Sequence, residues 1–594
     1  MNTINKNLIK TGFLFFMLQF SVSCTDILDT TSRNILTDDV VWGNDDGITA
    51  YIANMYNQVV TEDMAWSSNE TYLSQFTDEA VRSYTWGSPN NNPFPDNFWN
   101  WWGYGQIRTV NYFLQQMESS TIDADLKARY IAEGRFIRVF HYFALVKRFG
   151  GVPLITVPQE YTGDNIAELQ VPRNTEKEIY EFIRTELDAI TGEGGLPDSW
   201  NAANQYRATK WAALALKSRA MLYAASIAKY STVQINGLVG IPEADANFYW
   251  TEAMSAAATV IDSEKYTLYR ENDDKAANFQ NMFLVKGLHS ESIYTKAYTY
   301  PGKSHYFDYY NAPQSFKVDY GCVTNPTLQF VEEFEYVDGT PGTLKVNDPD
   351  GKPIKYANPY ELFNNKDPRL LASVMVPFSP WQGGTLEIRR GIVLPDETKI
   401  IASGNYGTGE NQISVIGKDG PLNTGDFTKT GFYIKKFMTP TGKTTYSTND
   451  GMVIRYAEVL LNYAEAAMEL GQNADKALVY INDIRDRAGI KLHNAIDLEK
   501  VRKERRIELA FENHRYWDII RWRVATTLLN GMRVKALHPY LVWEEGKNPS
   551  EMSYIYLIED APKEPRTFLE KQYYHNIPAD QRSTNPNLVP NPLY

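Results

Sequence analysis

The sequence is poor in several things at once. It holds two cysteines, Cys24 and Cys322, so a disulfide framework is excluded once Cys24 is otherwise used. It has no basic surplus: 59 Lys and Arg face 72 Asp and Glu, a formal net charge of −13. A nucleic-acid binder needs a basic face to displace counterions, so that class of partner is excluded. No apolar run reaches the roughly 20 residues of a membrane-spanning helix. Low-complexity tracts and long like-charge blocks are missing too, which leaves ordinary globular composition.

Catalytic signatures are equally scarce. The seven histidines are His141, His289, His305, His493, His514, His538 and His575, and no two stand three to five residues apart. A His-x-x-x-His zinc pattern is therefore absent. There is no Gly-x-x-x-x-Gly-Lys-Ser/Thr phosphate loop and no Gly-x-Ser-x-Gly nucleophile turn. Cys322 has no local histidine partner and reads as a small buried hydrophobe. Asp348-Pro-Asp350-Gly351 has the look of a calcium loop, but Val346 and Ala357 occupy its first and twelfth ligand positions. An ordinary turn is expected there. Glu504, Glu508 and Glu512 share a helical stripe interleaved with Arg502, Arg505 and Arg506, the pattern of a salt-bridged helix face. Among so many acids some pair falls at a glycosidase separation by chance, and nothing local marks one. No catalytic residue, metal site or cofactor is expected.

The N-terminus is distinct. Lys6 and Lys10 precede an apolar run from Gly12 to Phe20, then Ser21-Val22-Ser23 and Cys24. A positive flank with a short apolar core describes a secretory signal over 1–23. The order resembles a bacterial lipoprotein signal, with Cys24 as the acylated first residue. Ser21 stands where such signals prefer a Leu-like residue, so a plain secretory signal with an incidental cysteine is the alternative.

Helical periodicity governs both ends of the chain. Phe136, Val139, Phe140, Phe143 and Val146 fall on one helical face of 123–149, which Gly150-Gly151 and Pro153 end. With 106–118 this makes a helical hairpin. Further hairpins are expected at 174–190 with 205–229, at 453–470 with 474–488, and from the candidate N-cap Asp497 to about 530. The many alanines of 205–229 let backbones pack closely. The fold class is mainly α: paired helices in a degenerate tetratricopeptide-like scaffold, with no strict 34-residue repeat. From about 265 to 450, Gly, Pro, Asn and Tyr recur and the periodicity is lost. Short strands are expected at 386–394 and 431–437, in loops laid over the scaffold.

Aromatic residues in turn-rich stretches point to function. Trp86 sits in Ser83-Tyr-Thr-Trp-Gly-Ser-Pro-Asn-Asn-Asn-Pro93, and Trp381 in Ser379-Pro-Trp-Gln-Gly-Gly384, followed by Arg389 and Arg390. Tyr298, Tyr300, Tyr306, Tyr309 and Tyr310 crowd one segment with Pro301 and Gly302. Sugars present apolar C–H faces that flat rings can cover, and hydroxyl rims that Asn, Asp or Arg can bond. An exposed aromatic is costly without a partner. Trp86, Tyr300, Trp381 and Arg390 are the candidate ligand-binding residues; the alternative is that these rings pin long loops to the scaffold.

Several segments resemble the SusD/RagB family of outer-membrane nutrient-binding lipoproteins. They are Gly134–Leu154, Ile454–Ala466, Ile481–Gly489, Lys366-Asp-Pro-Arg369 and, most specifically, Glu504–Trp522. The resemblance spans nearly the whole chain. It implies one domain over 24–594, with a helical scaffold at about 45–265 and 450–535, a loop-rich region at 265–450 and a C-terminal loop region at 535–594. It implies a non-enzymatic, surface-exposed outer-membrane lipoprotein that captures oligosaccharide or polysaccharide and delivers it to a partner TonB-dependent (SusC-like) transporter. It implies that Arg505, Glu508 and Trp517 hold helices together, and that Trp86 stands where relatives place a stacking aromatic. A surface glycosidase and a non-binding structural lipoprotein are the competing readings.

Overall fold

The computed structural model describes residues 41–67, 70–84 and 100–594. The signal segment, Cys24 and Trp86 lie outside the described residues.

The expected helices form, mostly within a few residues of their expected ends. After α1 (Asp45–Gln58), the first hairpin is α2 (Tyr104–Ser119) and α3 (Ala124–Phe149). Asp123 caps α3 by accepting from the Asp125 and Leu126 amides at 3.0 and 3.1 Å. Gly150 ends it with φ +69°, where a Cβ would also meet the Leu238 carbonyl oxygen at 2.8 Å. The second hairpin is α4 (Glu176–Thr191), opened by a Thr175/Glu178 capping box, and α5 (Lys210–Tyr230). Alanines at 212, 213, 215, 220, 224 and 225 are buried, and α5 packs closely against α4 and against α6 (Ala246–Ile261). Helices α7 (Tyr456–Leu470) and α8 (Ala474–Ala488) form the third hairpin, each closed by a left-handed glycine, Gly471 and Gly489.

The fourth pair is shorter than its periodicity suggests. Helix α9 (Leu498–Glu508) is capped by Asp497, whose carboxylate accepts from the Lys500 amide at 2.8 Å. Positive φ at Phe511 and Asn513 then breaks the chain before α10 (His514–Arg521). The break has a purpose: Asn513 donates to the Glu62 and Asp63 carbonyls at 2.9 Å each, tying the scaffold to the segment after α1. Among the described residues no helix is long and apolar enough to cross a membrane.

The strands are short and scattered. β1 (Ala80–Arg82) pairs antiparallel with β3 (Thr324–Pro326), and β2 (Ser292–Lys296) with β6 (Gly451–Arg455). The largest sheet has the order β8–β7–β4–β5, from β4 (Gly391–Val393), β5 (Lys399–Ile400), β7 (Lys535–Val542) and β8 (Tyr554–Asp560). Two expectations need correction. The strands foreseen at 386–394 and 431–437 shrink to Gly391–Val393 and Tyr433–Ile434. The C-terminal region, expected as loops, carries β7 and β8, in register from Lys535 opposite Asp560 to Leu541 opposite Tyr554. The Asp348 turn is ordinary: its carboxylate accepts from the amides of Asp350 and Lys352 at 3.0 and 2.8 Å.

Two large apolar cores result, one among the helices and one under the irregular region. A buried ion network joins them. Glu508 accepts from Arg369 (2.9 Å), Arg455 (2.7 Å) and Arg487. Arg455 also reaches Glu291 and Glu512 at 2.7 Å, and Arg369 reaches Glu504 at 2.6 Å. These side chains are almost wholly out of water, so each charge depends on its partners. Burial raises the Glu508 carboxyl, but the three guanidinium groups outweigh it and hold it well below the usual range. Glu504 and Glu508 of α9, with Glu512 just past its end, are therefore a structural rivet.

Candidate functional site

The functional surface is built on a turn. Thr299 and Lys303 exchange backbone hydrogen bonds at 2.6 and 2.7 Å, which puts Tyr300 at the tip, 62% exposed. Neighbouring Tyr298 turns the other way: it is buried, and its hydroxyl donates to the Asp63 carboxylate at 3.0 Å. Two residues past the turn, the His305 and Ser447 backbones pair in both directions, at 3.0 and 2.8 Å. That pairing brings Tyr446 from a distant segment against the tip.

A ribbon of rings follows. Tyr300 and Tyr446 have centroids 5.2 Å apart, Tyr446 and Tyr306 5.6 Å, Tyr306 and Tyr309 6.2 Å. Tyr309 and Tyr310 ride one short helix, Phe307–Asn311. Tyr309 then stacks near Tyr320 at 6.0 Å, and Tyr320 lies parallel to Tyr84 at 5.2 Å with an interplanar angle of 1°. All are separations at which aromatic pairs attract. Tyr300, Tyr306 and Tyr446 are exposed, while Tyr84, Tyr309, Tyr310 and Tyr320 are half-buried. Tyr84 precedes Trp86 in the chain by two positions.

Ion pairs brace the far end. Tyr320 donates to Glu70 at 3.0 Å, and Glu70 pairs with Arg82 at 2.9 Å. The Tyr84 hydroxyl donates to Asp426, whose other oxygen holds Lys317 at 2.5 Å. Burial, then the bond to Glu70, pushes the Tyr320 hydroxyl up to about 12. The tyrosines thus keep their protons and spend them on carboxylates.

The predicted site residues separate. Tyr300 heads the ribbon. Trp381 does not offer a face: only 5% is exposed, because Pro380–Trp381 pairs with Gly384–Thr385 and the indole turns into the second core. Its neighbour Gln382 still serves the surface, donating to the Thr439 and Gly442 carbonyls (3.0 and 2.7 Å) of the segment leading to Tyr446. Arg390 spends its guanidinium on the Ile401 carbonyl at 3.3 Å beside the four-stranded sheet, and among the described residues no contact joins it to the ribbon tyrosines. Trp86 is outside the described residues. Sequence reasoning missed Tyr84, Tyr320 and Tyr446 as members. The signal was faint: Tyr446 stands alone in Thr444-Thr-Tyr-Ser-Thr448 and meets Tyr300 only through the fold. No cluster of three or more metal-ligating side chains occurs among the described residues.

Comparison with known proteins gives this architecture its relatives. The family model described as the SusD family matches residues 290–594, just over half of the chain. The chain belongs to the SusD family. A second model, described as starch-binding associating with outer membrane, matches residues 22–222. A SusD-like protein of Bacteroides ovatus is 21% identical over 530 residues, covering 85% of this chain and 80% of its own. SusD-like protein P38 of Formosa agariphila is 22% identical over 554 residues, covering 88% and 93%. Among solved structures, a SusD-like protein from Bacteroides fragilis superposes with a TM-score of 0.69 at 24% identity, covering 94% of this chain and 99% of its own. A SusD-like carbohydrate-binding protein from the same organism scores 0.67 at 22% identity, covering 92% and 100%. Structures of SusD family members thus share the paired-helix scaffold with irregular region.

Proposed function

We propose that this protein is a glycan-capture lipoprotein of the outer membrane, anchored through Cys24 and exposed at the cell surface. It takes up oligosaccharide on the tyrosine ribbon and delivers it to a partner TonB-dependent transporter. The observation that carries the reading is the run of partly exposed tyrosines: rings that a monomeric surface would not leave in water without use. A row of ring faces can lie along successive sugars, as rings do along successive bases of a single strand. Trp86, two positions after Tyr84 in the chain, is proposed as a further ligand-binding ring. The reading is also supported by similar structures, one of a SusD-like carbohydrate-binding protein and another of a laminarin-binding SusD-like protein. Binding without catalysis fits the ion pairing of Glu504, Glu508 and Glu512, which are bound to arginines and lysine inside the seam.

The test is affinity electrophoresis over a polysaccharide panel, with Tyr300→Ala/Tyr446→Ala as the paired variant. Retardation of the parent by at least one polymer, lost in the variant at unchanged melting temperature, is expected. Release of reducing ends would point to the glycosidase instead. For the anchor, Cys24→Ala should leave the membrane fraction in cells lacking the transporter; continued fractionation with the outer membrane would sink that part.

A further inference from the structure

We propose that the ribbon selects neutral glycans and excludes those bearing uronate or sulfate groups. The inference rests on the glycan-capture reading and adds a substrate class to it.

The first argument is the cation balance. Among the described residues around the ribbon, Arg82 is paired with Glu70 (2.9 Å), Lys317 with Asp426 (2.5 Å), Lys286 with Asp450, and Lys296 lies 3.7 Å from Asp63. Lys303 donates to the Asn57 side chain. Lys443, exposed three residues before Tyr446, and Lys563, which donates to the Ser83 and Tyr84 carbonyls at 3.3 and 2.8 Å, are the exceptions. A polyanion approaching this surface meets a carboxylate beside most cations. It also meets a chain of net charge −13, which repels it at long range.

The second argument is donor chemistry. Tyr84 gives its proton to Asp426 and Tyr320 gives its proton to Glu70, while the exposed carboxylate of Asp319 adjoins Tyr320 in the chain. Toward a ligand these groups offer lone pairs: the tyrosine oxygens and the free carboxylate positions accept and do not donate. Hydroxyl groups of neutral sugars satisfy such acceptors. A carboxylate or sulfate has no proton to give and would face them oxygen to oxygen.

The experiment measures affinity of the whole mature protein, at low and raised ionic strength, for two sets of polymers. The neutral set is a β-glucan, an arabinoxylan, a galactomannan and an α-glucan; the charged set is polygalacturonate, alginate and carrageenan. At least one neutral polymer should bind at least about tenfold more tightly than any charged one. That binding should not move with salt, because it releases no screened charge pair. Asp319→Asn, an exposed change that should spare the fold, should narrow the ratio. A charged polymer bound as tightly as the best neutral one, with affinity falling as salt rises, overturns the selectivity and leaves glycan capture standing. An unchanged ratio in Asp319→Asn removes the carboxylates as its cause and overturns the donor argument. A folded protein that binds no polymer of either set overturns both this inference and the reading beneath it.

Discussion

The seam between the two cores and the tyrosine ribbon use the same kinds of side chain to opposite ends. At the seam Glu508 is wholly out of water, and Arg369, Arg455 and Arg487 converge on it. At the ribbon Glu70 and Asp426 are partly in water, and each joins one cation to one tyrosine. The seam cannot lose a member without stranding charge in a low-dielectric interior. The ribbon can lose a ring and leave only surface for water to cover. The chain's most specific family motif, Glu504–Trp522, lies in the first region, while the proposed binding chemistry lies in the second. Recognition of the family therefore comes from residues that hold the frame, not from those that meet a ligand.

The seam should break hardest. Glu508→Ala leaves three buried guanidinium groups without their shared partner, and is expected to cost about 3–5 kcal/mol in denaturant unfolding. A loss below 1 kcal/mol would mean that water reaches the site. Trp517→Ala is expected to cost about 3–5 kcal/mol as a large-to-small core change. The indole is 3% exposed, its Nε1 donates to Glu62 at 2.9 Å, and Lys147 sits 4.4 Å from its ring centroid. Neither change should alter which glycans the folded fraction binds.

Acid should loosen the scaffold before it disturbs the ribbon. Burial raises the carboxyls of Glu62 and Glu465, but attraction to Arg148 and Lys147, and to Arg521, wins and holds both at about 2. The folded values lie below the unfolded ones, so both groups stabilise the fold fully above about pH 4.5. Their contribution is lost as pH falls from there toward 2, by about 3 kcal/mol apiece at the 1.36 kcal/mol carried by each unit. These two groups add nothing to any change between pH 7 and 5, and their loss should show as a steep fall in melting temperature below pH 4. A level profile down to pH 3 would contradict these pairings.

How much of this could be read in the chain alone divides along the same line. Long amphipathic helices announce themselves, since periodicity and caps such as Asp497 are local properties. The stripe of Glu504, Glu508 and Glu512 was legible as ion-paired, though not its burial, because its partners Arg369, Arg455 and Arg487 come from three other segments. Strand β7 was hidden by Pro539 in its middle, which by local rules argues against a strand. Trp381 misled because Gly and Pro flanks look exposed, whereas a two-residue pairing turns the ring inward. The tyrosine crowd at 298–310 was visible as composition. Which of its members face out depends on contacts such as Tyr298 with Asp63 and His305 with Ser447 that no local pattern encodes.

The smallest effect on stability should be the most telling for function. Tyr300 is 62% exposed at the tip of its turn, and its described ring contact is Tyr446. Removing it deletes little packing, so the melting temperature of Tyr300→Ala should match the parent. If the ring covers a sugar face, the loss should be about 1–3 kcal/mol, the worth of a base stacked on an aromatic side chain. That is roughly 5- to 150-fold in affinity, at about tenfold per 1.4 kcal/mol. Tyr300→Phe keeps the face and deletes the hydroxyl, so it separates stacking from hydrogen bonding. Near-parental affinity in Tyr300→Phe with a clear loss in Tyr300→Ala, both read by calorimetry, would assign the ring face. Equal losses would assign the hydroxyl. Parental affinity in both variants would remove this end of the ribbon from the binding surface and leave the Tyr320–Tyr84 end to carry the ligand.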